Sequence, residues 1–519
     1  MDVTGFLEDA AHFPGGHARD IVFPRSTEEV ADAVTGYSTI LPIGAQSSLT
    51  GGATPMGETL LSTAKLNRIL SDTDTTITAE AGVTVAALQE HLTQRGAWFP
   101  PAPTFTGATV GGIVSTNAAG ATTFKYGTTR EWVQGLTIVL ADGAVCRITR
   151  GHDRARNGVF DFAAPGRRYR IPVPTYEMPN VPKRSAGYYA TRGMDLIDVF
   201  IGSEGTLGVV TEVTFRVMSP APQAALALIP CGSEGQALAV AGALRAASIA
   251  TFRSGDPAGI QVSAIEDMDA RSIQILHEDG ADAKNNVSFA SGTAIALLAL
   301  MELPPDLDTA AAYEQIANVR EPSALDTALI RFCRLLDGMQ LLEVTELALP
   351  GDRRRAEELI AVREAVPAGV NARVGAAKRT VDSRIAKTAA DMIVPFGRFG
   401  DMMTAYRRGF ESRGLDYAIW GHISDGNVHP NVIPRSYADV ERGREAILEF
   451  GDECVRLGGC PLAEHGVGRS PIKQRLLRQL YGEEGIEQMR AVKRALDPQW
   501  KLAPGVIFER GLHTRITAN

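Results

Sequence analysis

Apolar residues recur at helical spacing over 26–37, "STEEVADAVTGY", behind Ser26, whose hydroxyl can cap the first amides of a helix. The strand-like "TILPIG" follows and opens into a glycine- and hydroxyl-rich loop that runs to Gly52. The logic repeats over 76–96, where strand "TITAEAGV" leads to helix "TVAALQEHLTQRG", ending at a glycine. Residues 135–149, "GLTIVLADGAVCRIT", put apolar runs on either side of Asp142-Gly143, the pattern of a hairpin. Over 196–217 a helix passes into a strand through closely spaced glycines.

The pattern changes after "MSPAPQ" (218–223). Helical periods lengthen over 234–248 and 263–276, and "TAIALLALMEL" (293–303) reads as a buried strand or short buried helix. Residues 151–184, rich in proline and arginine, read as an insertion loop, and a helix-rich stretch begins near Tyr437. The expected organisation is an α+β chain in three parts: an α/β domain over 1–217, a second α+β domain over 218–436, and a C-terminal helical segment over 437–519.

Composition narrows the class. A chain of 519 residues exceeds one hydrophobic core. Its net charge of −8 lacks the basic footprint of a nucleic-acid binder. No apolar run reaches the roughly 18–20 residues that span a bilayer, and the acidic start "MDVTGFLEDA" has no signal-peptide pattern. Cys146, Cys231, Cys333, Cys454 and Cys460 are widely spaced with no C-x-x-C, which argues against disulfide, iron–sulfur and cysteine-zinc frameworks. A cytoplasmic protein is expected, with peripheral attachment to a membrane and homo-oligomer formation both left open.

Three segments carry candidate chemistry in the first domain: "PIGAQSSLTGG" (42–52), "GATVGGIVSTNAAG" (107–120) and "IGSEGTLGVVTEV" (201–213). Small residues leave successive backbone amides open to an anion, as phosphate sites require. The first is neither a Walker A loop nor G-x-G-x-x-G. One such loop is an ordinary turn. Three in one domain suit an extended ligand with a pyrophosphate and a flat polar ring.

These segments, with "YGTTREWVQGLTIVLADG" (126–143) and "SAGYYATRGMDLIDVFIGSEGTLGVVTEVTF" (185–215), resemble the FAD-binding domain of the vanillyl-alcohol oxidase / p-cresol methylhydroxylase (PCMH) flavoproteins. The resemblance implies a two-subdomain PCMH-type FAD-binding domain followed by an α+β substrate (cap) domain with a C-terminal helical return. It implies FAD contacts from Pro42, Gly44, Ala45, Gln46, Ser47, Ser48, Leu49 and Thr50 in the first loop, and from Thr109, Gly112, Ser115, Thr116 and Asn117 in the second. Glu204, Gly208 and Val210 follow from the third, and Asn427 from the later part of the chain. Relatives with covalent flavin carry a His at the first loop, where this chain has Gln46, Ser47 and Ser48, so the FAD is expected to be non-covalent.

In "GHISDGNVHPN" (421–431), His422 and His429 flank a Ser-Asp-Gly-Asn turn that lets both imidazoles face one point. "AEHGVGRSP" (463–471) adds Glu464 and His465. Either histidine alone reads as a packed or turn residue. Two His and a carboxylate together form a sensible divalent-metal set with open positions.

Both motifs resemble those of the D-2-hydroxy-acid dehydrogenases that act on D-lactate, D-2-hydroxyglutarate or glycolate, and "RALDPQWKLAPGVIF" (494–508) resembles their closing segment. The resemblance implies His422, His429 and Glu464 as ligands of Zn2+ or Mn2+, His465 as base and Asn431 as a substrate contact. "AVREAVP" (361–367) resembles the segment whose arginine grips the substrate carboxylate, which implies Arg363. Relatives place a lysine two residues before the Asp of "KTAADMIVP" (387–395); here that position is Ala389, so either Lys387, four before the Asp, substitutes or the charge is absent.

The expected reaction is oxidation of a D-2-hydroxy acid to the 2-oxo acid. The metal acidifies the hydroxyl, His465 takes its proton and the C2 hydride passes to flavin N5. The electron acceptor is a quinone, an electron-transfer protein or O2. The rivals are an O2-using oxidase, a flavin subunit of a larger electron-transfer complex, and a transferase like alkylglycerone-phosphate synthase. The run of histidines that marks the transferase is absent here.

Overall fold

The computed structural model describes residues 2–101 and 103–509; Met1 and residues 510–519, the outer ends of the first and last expected segments, lie outside them. Two compact units result. One comprises the chain up to Gly120, Gly127–Ser219 and the chain from Cys460; the other comprises Ala121–Tyr126 and Pro220–Gly459. The segment read as one C-terminal piece is therefore divided. Helix Tyr437–Arg456 belongs to the second unit, and helix Pro471–Leu496 to the first.

The first unit holds a parallel three-stranded sheet in the order Asp20–Val22, Thr59–Ser62, Ile40–Ile43. It also holds an antiparallel five-stranded sheet in the order Ile69–Asp72, Thr76–Glu80, Val209–Arg216, Val133–Val139, Val145–Thr149. Helix Thr27–Gly36 forms as its pattern predicts, with Ser26 accepting from the Glu29 amide. Its Val30 and Val34 pack on Ile40, Leu61, Val139 and Leu502. The hairpin across Asp142-Gly143 is also as expected.

The expected loop 151–184 contains a hairpin, Val159–Ala164 with Arg167–Pro172. Its alternation was hidden among prolines and arginines. Phe160, Phe162, Tyr169 and Ile171 are buried on one face, while Asp161, Arg168 and Arg170 are exposed.

The second unit is an antiparallel eight-stranded sheet, in the order Glu346–Ala348, Gln223–Cys231, Ile295–Leu303, Val262–Asp269, Tyr417–His422, Asn427–Val432, Thr388–Ala389; Met392–Ile393 also pairs with Asn427–Val432. The long helix Arg353–Thr380 packs Val362, Val366 and Val370 into a core with Met268, Leu298 and Trp420. The stretch 263–276, read as a helix, is a strand for its first half. Val262–Asp269 lies between two strands with Val262 to Met268 all buried, and Asp269 then caps helix Ala270–Glu278. Its acids Glu266 and Asp267 disguised a buried strand, because sequence periodicity reads acids as solvent-facing. Among the described residues no helix is long and apolar enough to cross a membrane.

Candidate functional site

In the first unit the three glycine-rich segments line one cavity of about 310 Å³, within the range of about 300–1,000 Å³ usual for small-molecule sites. Glycine is required where the segments pack on one another and on their neighbours. A Cβ at Gly44 would lie 2.3 Å from Thr109 Oγ1, one at Gly111 2.7 Å from Ala81 Cβ, and one at Gly208 2.4 Å from Ile138 Cγ2.

Each segment also holds one non-glycine residue in the left-handed region: Gln46 (φ 50°), Asn117 (φ 48°) and Glu204 (φ 51°). Such backbone costs about 1–3 kcal/mol and persists only where the surroundings fix it. The side chains do the fixing. Gln46 Nε2 donates to the Phe6 and Ala53 carbonyls at 3.0 and 2.8 Å. Asn117 Oδ1 accepts from Thr128 Oγ1 and the Arg130 amide, both at 3.0 Å. Glu204 accepts from the Val467 and Gly468 amides, both at 2.8 Å.

Residues 42–49, Thr109, Gly112, Ser115, Thr116, Glu204, Gly208 and Val210 line the cavity, together with Glu464 and His465; Thr50 and Asn117 do not. The Ser115 and Thr116 hydroxyls donate to the Gly111 and Gly112 carbonyls of their own helix at 2.8 and 3.0 Å. An anion here would therefore be met by backbone amides and the Ser47–Ser48 region, not by those two hydroxyls. Thr50 instead seats the later segment, its carbonyl accepting from the Arg469 amide at 3.0 Å. Pro103, Thr104 and Phe105 also line the cavity and gave no motif signal in the Pro-rich stretch that holds them. A lining of glycines and small residues that exposes backbone to an elongated ligand fits FAD.

Glu204 explains why "EHGVG" joins this cavity. Its carboxylate takes the last two amides of Glu464–Gly468, and a Cβ at Gly466 would lie 2.8 Å from Glu204 Oε1. Burial pushes the Glu204 carboxyl up to about 7, partly offset by those two bonds and by Lys473. His465 Nε2 lies 3.9 Å from Glu464 Oε2, and Glu464 Oε1 accepts from Lys183 Nζ at 2.5 Å.

The second unit supplies the paired histidines. Strands Tyr417–His422 and Asn427–Val432 form the predicted hairpin, with His429 opposite Trp420 and Asn427 opposite His422. In this register His422 and His429 are diagonal neighbours on one face, with ring centroids 5.5 Å apart and planes at 90°. The turn between them is seated on the adjacent strand. Ser424 Oγ accepts from the Ile265 amide at 3.1 Å, and Arg245 donates to the Ser424 carbonyl.

Glu266, a residue no motif marked, bonds His422 Nδ1. A carboxylate on Nδ1 fixes the tautomer and leaves Nε2 to meet an ion. Glu266 also accepts from Arg363 Nη2 at 2.6 Å and Nε at 2.8 Å. Burial alone would raise the Glu266 pKa, but the His422 and Arg363 charges and hydrogen bonds outweigh it and hold the group down at about 2. His429 Nδ1 lies 3.5 Å from Asp391 Oδ1. Two imidazoles, one hydrogen-bonded to a carboxylate and the other 3.5 Å from one, are a donor set that fits a divalent ion.

Asn431 is buried and donates to the His429 carbonyl at 2.7 Å, and its Oδ1 has no hydrogen-bond partner among the described residues. Asn427, expected on the cofactor, donates to Asp391 Oδ1 at 3.2 Å and to the Met392 carbonyl at 2.9 Å. Lys387 is exposed, one residue before strand Thr388–Ala389. Ala389, where relatives carry the lysine, pairs with Asn431 in the sheet.

Comparison with known proteins agrees with this architecture. Residues 18–149 match the family described as FAD binding domain, and residues 236–507 match FAD linked oxidases, C-terminal domain. Similar proteins include the glycolate oxidase subunit GlcD of Bacillus subtilis, 26% identical over 96% of this chain and 90% of that one. A probable mitochondrial D-lactate dehydrogenase of Danio rerio is 27% identical, covering 94% of this chain and 84% of that one. A D-2-hydroxyglutarate dehydrogenase of Xanthomonas citri is 27% identical, covering 94% and 89%. A solved structure of an alkyldihydroxyacetonephosphate synthase superposes with a TM-score of 0.54 at 15% identity, over 95% of this chain and 77% of that one, a likeness of fold.

Proposed function

This chain belongs to the FAD-linked oxidases and is an FAD-dependent oxidoreductase, and from that premise we propose that it oxidises a D-2-hydroxy acid of the lactate, glycolate or 2-hydroxyglutarate type to the 2-oxo acid. The relatives named for these substrates support the class. The observation that carries the reading is that His465 lines the same cavity as the three glycine-rich segments, so a base and the FAD cradle share one space.

His465 takes the proton of the substrate 2-hydroxyl, a role its partial exposure and its place on the cavity allow. FAD, when bound, supplies the two-electron acceptor that the oxidation requires. His422, its ring aimed by Glu266, and His429 hold a divalent ion, Zn2+ or Mn2+, and Glu464 is the third ligand. That ion, when bound, supplies Lewis acidity toward the substrate hydroxyl. Asn431 Oδ1 accepts a hydrogen bond from substrate. Arg363 has Nε and Nη2 engaged by Glu266, so its contact with the substrate carboxylate falls to Nη1. Lys387 is the second candidate for that carboxylate.

Turnover of glycolate, D-lactate and D-2-hydroxyglutarate with a dye acceptor tests this, before and after chelation and again after metal is restored. The reading predicts activity on at least one acid that chelation removes and Zn2+ or Mn2+ restores. Full turnover in protein free of metal by elemental analysis would reduce His422 and His429 to packing.

A further inference from the structure

The segment 463–468 is held at both ends within the first unit. Glu204 takes its last two amides. At its start, the Ala463 carbonyl accepts from the Ser185 amide at 3.0 Å, and two residues before Ser185 stands Lys183. The Lys183 side chain has no exposed surface, and Nζ donates to Glu464 Oε1 at 2.5 Å, with Glu464 itself only 8% exposed. A fully buried ammonium is retained only against an opposite charge, and here Glu464 provides it. The proposed chemistry gives Lys183 no role, and no motif marked it.

We propose that Lys183 is a positioning residue that holds the Glu464 carboxylate in place, taking Oε1 so that Oε2 is the oxygen Glu464 presents to a divalent ion. This rests on the reading of Glu464 as a metal ligand. It gives the end of the proline- and arginine-rich segment a function: its hairpin and loops carry the chain to Lys183 and Ser185, which clamp the Ala463–Glu464 pair from the side. A lysine serves better than a hydrogen-bonding neutral group here. Its charge balances that of the buried carboxylate, and its three donors bind an oxygen without imposing a fixed plane.

The test is Zn2+ titration of the FAD-loaded full chain against a competing chelator, for the unmodified protein, K183M, K183R and E464Q, with FAD-to-protein ratio and thermal melting recorded for each. The inference predicts that K183M binds Zn2+ about 10- to 100-fold more weakly, the usual cost of losing a residue that orients a ligand, while its FAD ratio is unchanged. K183R should recover part of the loss. Lysine serving packing alone would shift melting and FAD content but spare the zinc affinity of the folded protein. Zinc affinity in K183M equal to that of the unmodified protein, with E464Q weakened, overturns the inference and leaves the metal reading standing. Absence of Zn2+ binding in the unmodified protein overturns both. If K183M does not fold, K183R decides: its guanidinium re-aims the carboxylate and should weaken zinc several-fold, and unchanged affinity contradicts the proposal.

Discussion

Arg363 Nη2 lies 2.6 Å from Glu266 Oε2, and the same carboxylate bonds Nδ1 of His422. One buried acid thus links the residue expected to grip substrate with a residue expected to grip metal. Glu266→Gln keeps the shape but loses the charge and one of the two acceptor sites. Zn2+ affinity should fall about 10- to 100-fold, read by competition with a chelating dye, with FAD content unchanged because Glu266 lies outside the FAD-cavity unit. Unaltered zinc affinity would mean that His422 is not aimed by Glu266.

Glu204 makes stability depend on pH in a definite direction. Its carboxyl holds its proton to about 7 in the folded chain against an ordinary 4.5. Between these values the unfolded chain has released a proton that the folded chain retains, so stability falls as pH rises through this window. The full change is on the order of 3 kcal/mol. Melting temperatures of the unmodified protein minus those of Glu204→Gln should decline from pH 5 to pH 7 and level off above it. A constant difference would show that Glu204 does not titrate there.

Gly44→Ala places a Cβ 2.3 Å from Thr109 Oγ1, the group that caps helix Val110–Ser115. Either the two loops separate or Thr109 turns away and the cap is lost. Overpacking of this kind costs about 1–3 kcal/mol. Purified G44A should carry several-fold less FAD and melt lower than the unmodified protein. Equal flavin stoichiometry and equal melting would remove the close approach of these loops from the account.

Features that act locally were legible in the sequence: the Ser26 cap, the Asp142-Gly143 turn, the hairpin that carries His422 and His429, and the three glycine segments. Each depends on backbone rules within a few residues. The residues that were missed act across long separations. Glu266 reaches Arg363 and His422 from another strand, and its acidity made a buried strand resemble an amphipathic helix. Lys183 meets Glu464 across 281 positions. Glu204, which the resemblance implies as a cofactor contact, lines the cavity, and its carboxylate also holds the amides of Val467 and Gly468, a role no local pattern reveals.

Anaerobic flavin absorbance reads out whether His465 and the FAD cradle act on one substrate. FAD-loaded protein with metal should bleach on addition of a D-2-hydroxy acid and not its L-enantiomer, and His465→Ala should slow bleaching by about 10²- to 10⁴-fold with FAD still bound. Bleaching of His465→Ala at the rate of the unmodified protein, or no bleaching by any 2-hydroxy acid, would show that they do not.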